Sequence, residues 1–201
     1  MMTDRRTFLA TGIAVLGAGL AGCAGSGTDR GWITLVDGSR QSSIDGWTQL
    51  GEGNWSFVDG TLQGKNGNAG FLVSKDSYTD FEIRAEFWAD DDANSGIFLR
   101  CQDRNKVGAA NAYEVNIFDK RPDPSYGTGA IVNVAKVARP MPKAANRWNT
   151  YEITARGDRM VVVLNGQQTA DGHDGKHRSG PIALQSAAGT IRFRMVEIRR
   201  M

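Results

Sequence analysis

Residues 94–119 read NSGIFLRCQDRNKVGAANAYEVNIFD. The pattern predicts two strands, 96–101 and 113–118, joined by a polar loop containing Gly and Ala. Side chains alternate faces along a strand. Ile97, Leu99 and Cys101 therefore share one face, leaving Phe98 and Arg100 on the other. Tyr113, Val115 and Ile117 share a face of the second strand, opposite Glu114, Asn116 and Phe118. Each strand has an apolar side suited to a core. Their opposite sides together mix charge, amide and aromatic ring, and a solvated face has no need of Phe98 and Phe118. Rings among a carboxylate, a guanidinium and an amide suit a sugar, which offers apolar C–H faces and a rim of hydroxyls. The alternative is an ordinary outer sheet face, which also carries polar residues at every second position.

The rest of the chain extends this β pattern. Its 201 residues are enough for one domain with a real core. With 24 basic and 22 acidic residues the charge is nearly balanced, and no basic stripe with interleaved aromatics marks a nucleic-acid partner. The 25 glycines punctuate short strands rather than long helices. Strands are expected at 31–37, 54–58, 61–63, 70–74, 81–88, 129–137, 148–156, 160–165, 167–170, 181–185 and 190–200, with another element opening at Gly46-Trp47. Asp59-Gly60 and Asn165-Gly166 are type I′ hairpin signals. In the last strand the apolar alternation changes phase, which predicts a β-bulge near Met195-Val196. About a dozen strands with turns every 8–12 residues indicate an all-β sandwich in a single domain.

Two cysteines at unrelated positions do not make a disulfide framework. Cys101 reads as a small buried apolar residue. The only histidines, His173 and His177, lie in a stretch with Gly172 and Gly175, which argues against a helical zinc pair. Asp90-Asp91-Asp92 lacks calcium-loop spacing and reads as a solvated loop.

Residues 1–22 read as an export signal: Arg5-Arg6, a short apolar run, and Leu20-Ala-Gly-Cys23. The paired arginines resemble a twin-arginine signal, and the ending resembles a bacterial lipobox with lipidation at Cys23. A plain secretory signal is the alternative. Residues 23–31 then form a lipidated tether, and 32–201 form the domain. The expected location is the bacterial cell envelope, lipid-anchored or periplasmic, with membrane contact only through the lipid.

A series of motifs carries a family resemblance: Leu35-x-Asp-Gly, Gly46-Trp, Trp55-x-Phe-x-Asp-Gly-x-Leu and Tyr78-x-Asp-Phe-Glu-Ile-Arg. Asn94-Ser-Gly-Ile-Phe-Leu-Arg, Tyr113-Glu-Val-x-Ile-x-Asp and Thr128-Gly-Ala-Ile continue it. Arg147-Trp-Asn-Thr-Tyr-Glu-Ile, Leu164-Asn-Gly and Gly180-Pro-Ile-Ala-Leu-Gln complete it. Over residues 32–200 the chain resembles the 3-keto-disaccharide hydrolase domain family, also known as domain of unknown function 1080. The resemblance implies a concanavalin A-like, glucanase-like jelly-roll β-sandwich, export, and activity on glycosides oxidised at C3. Many members carry Asp-His-Gly after the Gly-Pro-Ile-x-Leu-Gln motif. Here the chain reads Gln185-Ser-Ala-Ala-Gly, without the histidine.

A ketone at C3 acidifies the C2 proton. The chemistry this implies is proton abstraction by a carboxylate, expulsion of the C1 leaving group, and addition of water, a net hydrolysis. Glu114 is the expected base and Glu86 the second carboxylate, provided that strands 81–88, 96–101 and 113–118 are neighbours. Arg100 is expected to stabilise the enolate oxygen or orient Glu114. Asn116 is expected to hydrogen-bond a hydroxyl, and Trp88 and Phe98 to offer stacking surfaces. Lys143 and Asp119 complete the binding set, with Asp119 also readable as a turn residue or metal ligand. No metal ligands are assigned, and a divalent cation such as calcium stays open as a cofactor. The competing readings are a non-catalytic carbohydrate-binding module on the same fold, and a structural lipoprotein with a partner surface.

Overall fold

The computed structural model describes residues 31–41, 43–65 and 69–201. The export-signal and Cys23 readings lie outside these described residues. The strands are Trp32–Asp37 (β1), Trp47–Gly51 (β2), Trp55–Val58 (β3), Thr61–Lys65 (β4), Gly70–Ser74 (β5), Phe81–Ala89 (β6) and Asn94–Leu99 (β7). They continue with Tyr113–Ile117 (β8), Trp148–Arg156 (β9), Arg159–Leu164 (β10), Gln167–His173 (β11), Ala183–Ala188 (β12) and Thr190–Arg200 (β13). One antiparallel sheet has the order β11-β10-β9-β6-β13-β4-β3, with β1 also on β13. The other has the order β2-β5-β12-β7-β8.

Alternation builds the two layers. Along β6, Phe81, Ile83, Ala85, Phe87 and Ala89 are buried, while Glu82, Arg84, Glu86 and Trp88 are only partly so. The buried set meets Leu72, Ile97, Val115 and Leu184 of the five-stranded sheet in one core. Burying a side chain of this size stabilises the fold by about 1.5–3 kcal/mol. Tyr151 of β9 crosses that core, and its hydroxyl donates to the Asn116 carbonyl of β8 at 2.7 Å. Burial pushes the Tyr151 pKa far up, so this donor keeps its proton.

Both hairpin signals hold. Asp59 and Gly60 have φ of 48° and 70°, and Asn165 and Gly166 have 52° and 79°, the paired positive values of a type I′ turn. The bulge in β13 falls at Arg194, between Phe193 and Met195, slightly before the expected place. It lets one long strand seat β4 along its first half and β1 along its second.

Two expectations are corrected. The first strand of residues 94–119 ends at Leu99 because Arg100 has a φ of 53° and leaves the strand. Residues 129–137 are not a strand. Gly129 and Asn133 adopt φ of 90° and 63°, which folds Ile131–Ala135 into a turn closed by two backbone hydrogen bonds between its ends.

Candidate functional site on the outer face of the five-stranded sheet

Residues paired across neighbouring strands point to the same side of a sheet. On the outer side of the five-stranded sheet this produces two rows. Val73, Ala183, Phe98 and Glu114 form one, and Phe71, Gln185, Gly96 and Asn116 the other. Beyond β8 the turn at 129–135 continues the edge. Asn116 N–H donates to Ala130 O at 3.0 Å, and Val132 N–H to Glu114 O at 2.9 Å.

The Glu114 side chain leans over Gly96. A methyl group built at Gly96 would sit 3.0 Å from Val115 O, 3.4 Å from Glu114 Cγ and 3.6 Å from Glu114 Oε1. Glu114 is 8% exposed. Desolvation raises its pKa above the ordinary carboxylate value, while Arg121 pulls the other way. The result is a poorly hydrated carboxylate with one cation near it.

Unpartnered amide oxygens flank that carboxylate. Asn116 is fully buried, and its Nδ2 donates to Tyr126 O at 2.7 Å. A carbonyl only accepts, so this bond fixes the amide with Oδ1 free, and among the described residues Oδ1 has no partner. The buried Oε1 of Gln185 also has none. Buried polar atoms are normally hydrogen-bonded. Two buried amide oxygens without partners, on either side of a glycine and beside a buried carboxylate, leave acceptor capacity unused at this point of the sheet. By strand spacing the two amides, which lie in one row with Gly96 between them, are about 10 Å apart.

Among the other expected site residues Phe98 lies beside Glu114 but offers no open face, and the rest lie elsewhere. Phe98 is buried, edge-on to Phe71 at 5.3 Å between centroids and packed with Val73, Cys101, Ala112 and Ala183. It is wall rather than stacking platform. Cys101 is buried as expected, but beside Phe98 rather than on the face of Ile97 and Leu99, because the chain leaves the strand at Arg100; burial pushes its thiol pKa up to about 12. Glu86 and Trp88 project from the outer face of the other sheet, because β6 lies between β9 and β13. The shared face expected for Glu114 and Glu86 therefore does not form. Both sheets separate them, Glu86 pairs with Arg194, and Trp88 lies under Arg192.

Arg100 is also not beside Glu114. Once its backbone leaves β7, the guanidinium is fully buried. It donates to Thr79 O at 2.8 Å, Gly157 O at 2.7 Å, His177 O at 3.3 Å and Asp80 Oδ1 at 3.2 Å. It ties loops together.

Asp119 acts as a pin. Its carboxylate accepts from the Thr128 hydroxyl and from the N–H groups of Ala144 and Ala145, the latter two at 2.9 and 3.0 Å. Lys143 donates to the Asp119 carbonyl and lines a separate groove. His177 is buried against Tyr113, and its N–H donates to the Tyr113 hydroxyl. His173 closes β11 beside Asp158. Among the described residues no group of three or more His, Cys, Asp or Glu side chains is arranged to hold a metal ion.

Sequence reasoning missed Arg121 and Gln185. Arg121 follows β8 in the tight turn 118–121, where its N–H bonds Phe118 O, so it returns beside the strand it has just left. That turn was the available signal. Gln185 stood in a recognised motif, but its unpaired oxygen depends on packing.

Comparison with known proteins bears on the family and the fold. Residues 31–199 match a family described as the 3-keto-alpha-glucoside-1,2-lyase-like domain. A curated 3-keto-disaccharide hydrolase of Bacteroides thetaiotaomicron is 22% identical over 173 residues, covering 71% of this chain and 59% of that protein. The chain thus spans less than two thirds of that relative. A solved structure of a candidate glycosyl hydrolase from Parabacteroides distasonis superposes with a TM-score of 0.72 at 16% identity, covering 85% of this chain and 94% of that one. The carbohydrate-binding module CBM66 of Bacillus subtilis gives 0.61 at 21%, covering 79% and 98%. The fold is the expected jelly-roll sandwich.

Proposed function

This chain belongs to the 3-keto-alpha-glucoside-1,2-lyase-like domain family, and from that premise we propose that it cleaves glycosides whose sugar carries a ketone at C3, with Glu114 as the proton-transfer residue. The carrying observation is the poorly hydrated Glu114 carboxylate over Gly96, between the free oxygens of Asn116 and Gln185. The sugar's hydroxyls donate to those two oxygens and bring C2 to the carboxylate. Glu114 takes the C2 proton, and the C–H electron pair forms the enolate, whose oxygen faces the positive field of Arg121 rather than Arg100. Collapse of the enolate restores the ketone, makes a C1=C2 double bond and breaks the C1–O bond. The leaving oxygen keeps that electron pair and takes the proton held by Glu114. Water then adds across C1=C2, its hydroxyl to C1 and its proton to C2. This route needs one tuned carboxyl group. The double displacement of retaining glycosidases needs two, about 5–5.5 Å apart, and Glu86 is on the other sheet.

The test is incubation with 3-keto-trehalose and 3-keto-glucosides beside their unoxidised parents. Release of the leaving group from the keto forms alone is expected. Cleavage of the parents, or of neither set, overturns the proposal.

The binding-module reading draws on one observation. Residues 186–188 on β12, beside Gln185, are Ser-Ala-Ala, so they offer no imidazole to share proton transfer with Glu114. Glycan binding unchanged by Glu114→Gln, with no turnover, selects that reading. The proposal also places the protein in the bacterial envelope, exported through the Arg5-Arg6 signal and anchored by lipid on Cys23. A Cys23→Ala variant released from the membrane fraction supports this, and one that stays membrane-bound contradicts it.

A further inference from the structure

A groove of about 340 Å³ lies apart from the outer-face rows, between loop 137–143 and the turn joining β10 to β11. Arg139, Lys143 and Arg147 line it, and no Asp or Glu does. Lys143 and Arg147 each donate to a backbone carbonyl, which holds their chains but neutralises no charge. Among the described residues none of the three cations forms an ion pair. Three cations with no counter-charge around one groove create a positive field that raises the local concentration of anions.

The remaining lining says what kind of anion. Pro140, Met141 and Pro142 reach the surface and give the groove apolar patches, beside the buried Val137 and Leu164. Gln167 and Gln168 add two exposed amides. A simple inorganic anion has no use for apolar patches and amides, whereas a sugar's C–H faces and hydroxyls match both. The volume is at the lower end of the range for small-ligand sites, about 300–1,000 Å³, which fits a short oligosaccharide better than a protein segment. The loop forming one wall is tied to the segment that follows β8: Val137 N–H donates to Ser125 O, and Asp119 holds Ala144 and Ala145.

We propose that this groove is a binding site for an acidic oligosaccharide, with the carboxylate of a uronate residue held by Arg139, Lys143 and Arg147 and its hydroxyls by Gln167 and Gln168. Arginine matches a carboxylate with two parallel N–H donors. The choice of a sugar as carrier of the charge rests on the carbohydrate reading above; the need for an anion does not.

The test is calorimetric binding of a galacturonate trisaccharide, the neutral galactose trisaccharide of the same linkage, and inorganic sulfate. The acidic trisaccharide is expected to bind at least about ten-fold more tightly than either, as suits a charge-assisted hydrogen-bonded pair. Arg139→Gln and Arg147→Gln are each expected to remove about ten-fold, and so is salt of about 1 M, where the screening length is about 3 Å. Arg139 forms no ion pair among the described residues, so its variant is expected to keep the fold. Turnover of neutral 3-keto-glucosides by Arg139→Gln stays at the wild-type level. Equal affinity for the neutral trisaccharide, equal affinity for sulfate, or unaltered affinity in both variants overturns the proposal. Failure of all turnover with this binding intact counts against the Glu114 reading alone.

Discussion

Replacing Arg100 separates a structural role from a catalytic one. In Arg100→Leu the Thr79, Gly157 and His177 carbonyls lose their guanidinium donors, and Asp80 loses its ion-pair partner. The bond to His177 O is buried, so water does not replace it, and an abandoned buried acceptor costs about 1–3 kcal/mol. The Thr79 and Gly157 bonds are partly buried and add about 1 kcal/mol each. Asp80 is 36% exposed and rehydrates, so its pair is discounted to near zero. The sum is a loss of about 3–5 kcal/mol. At about 2–4 °C per kcal/mol for a domain of this size, the midpoint of thermal unfolding falls by roughly 10 °C. Thermal and urea unfolding followed by near-UV circular dichroism measure the loss, and turnover is compared at 20 °C, where the variant is still folded. Turnover is expected to stay within about two-fold of wild type, since Arg100 touches neither Glu114 nor its row. Arg100→Lys, which keeps the charge and fewer donors, falls between. A midpoint lowered by less than about 2 °C refutes the structural assignment, as does turnover lost at an unchanged midpoint.

Three further outcomes are expected. Gly96→Ala places a methyl group 3.0 Å from Val115 O and against Glu114, so turnover falls by at least about ten-fold while circular dichroism shows an intact fold. For Glu114, burial raises the folded-state pKa above the unfolded value, so the carboxyl group favours the folded state when protonated and that contribution is lost as pH rises through the folded pKa. Glu114→Gln is therefore more stable than wild type in urea at pH 7, and the advantage vanishes below the ordinary carboxylate range. Asp119→Ala frees the Ala144 and Ala145 amides and the Thr128 hydroxyl and costs about 2–3 kcal/mol in urea unfolding. Added divalent cation leaves that loss unchanged if the carboxylate is a pin rather than a ligand.

The sequence made faces legible but not layers. Alternation along 81–88 and 113–118 correctly separates Phe87 and Val115, in the core, from Glu86 and Glu114, outside it. It does not say which sheet each strand joins, since that is decided by pairings between residues far apart in the chain, such as Phe87 with Phe193 and Gly96 with Gln185. Two polar faces that look alike in sequence thus ended on opposite sides of the molecule. Local chemistry was more reliable. Asp-Gly and Asn-Gly dictated their turns because few other residues tolerate paired positive φ. The same property misled elsewhere: Arg100 adopts positive φ without a glycine and ends one strand early, while Gly129 and Asn133, inside an apolar run that reads as a strand, dissolve another. Glu114 and Asn116 were legible because each sits between core residues of an apolar alternation. Arg121 required knowing that the chain doubles back after β8. The unpaired oxygen of Gln185 exists only after the sheet has closed around it.

The most direct test of the central claim is exchange of the C2 hydrogen of a 3-keto-glucoside in deuterated water, followed by proton NMR with wild type and Glu114→Gln. Exchange reports proton abstraction itself, whatever the leaving group does next. Wild type is expected to exchange C2 faster than the uncatalysed background, and Glu114→Gln to lose about 10²–10⁴-fold of that rate. Exchange by Glu114→Gln at the wild-type rate contradicts the account, because another group would then be removing the proton.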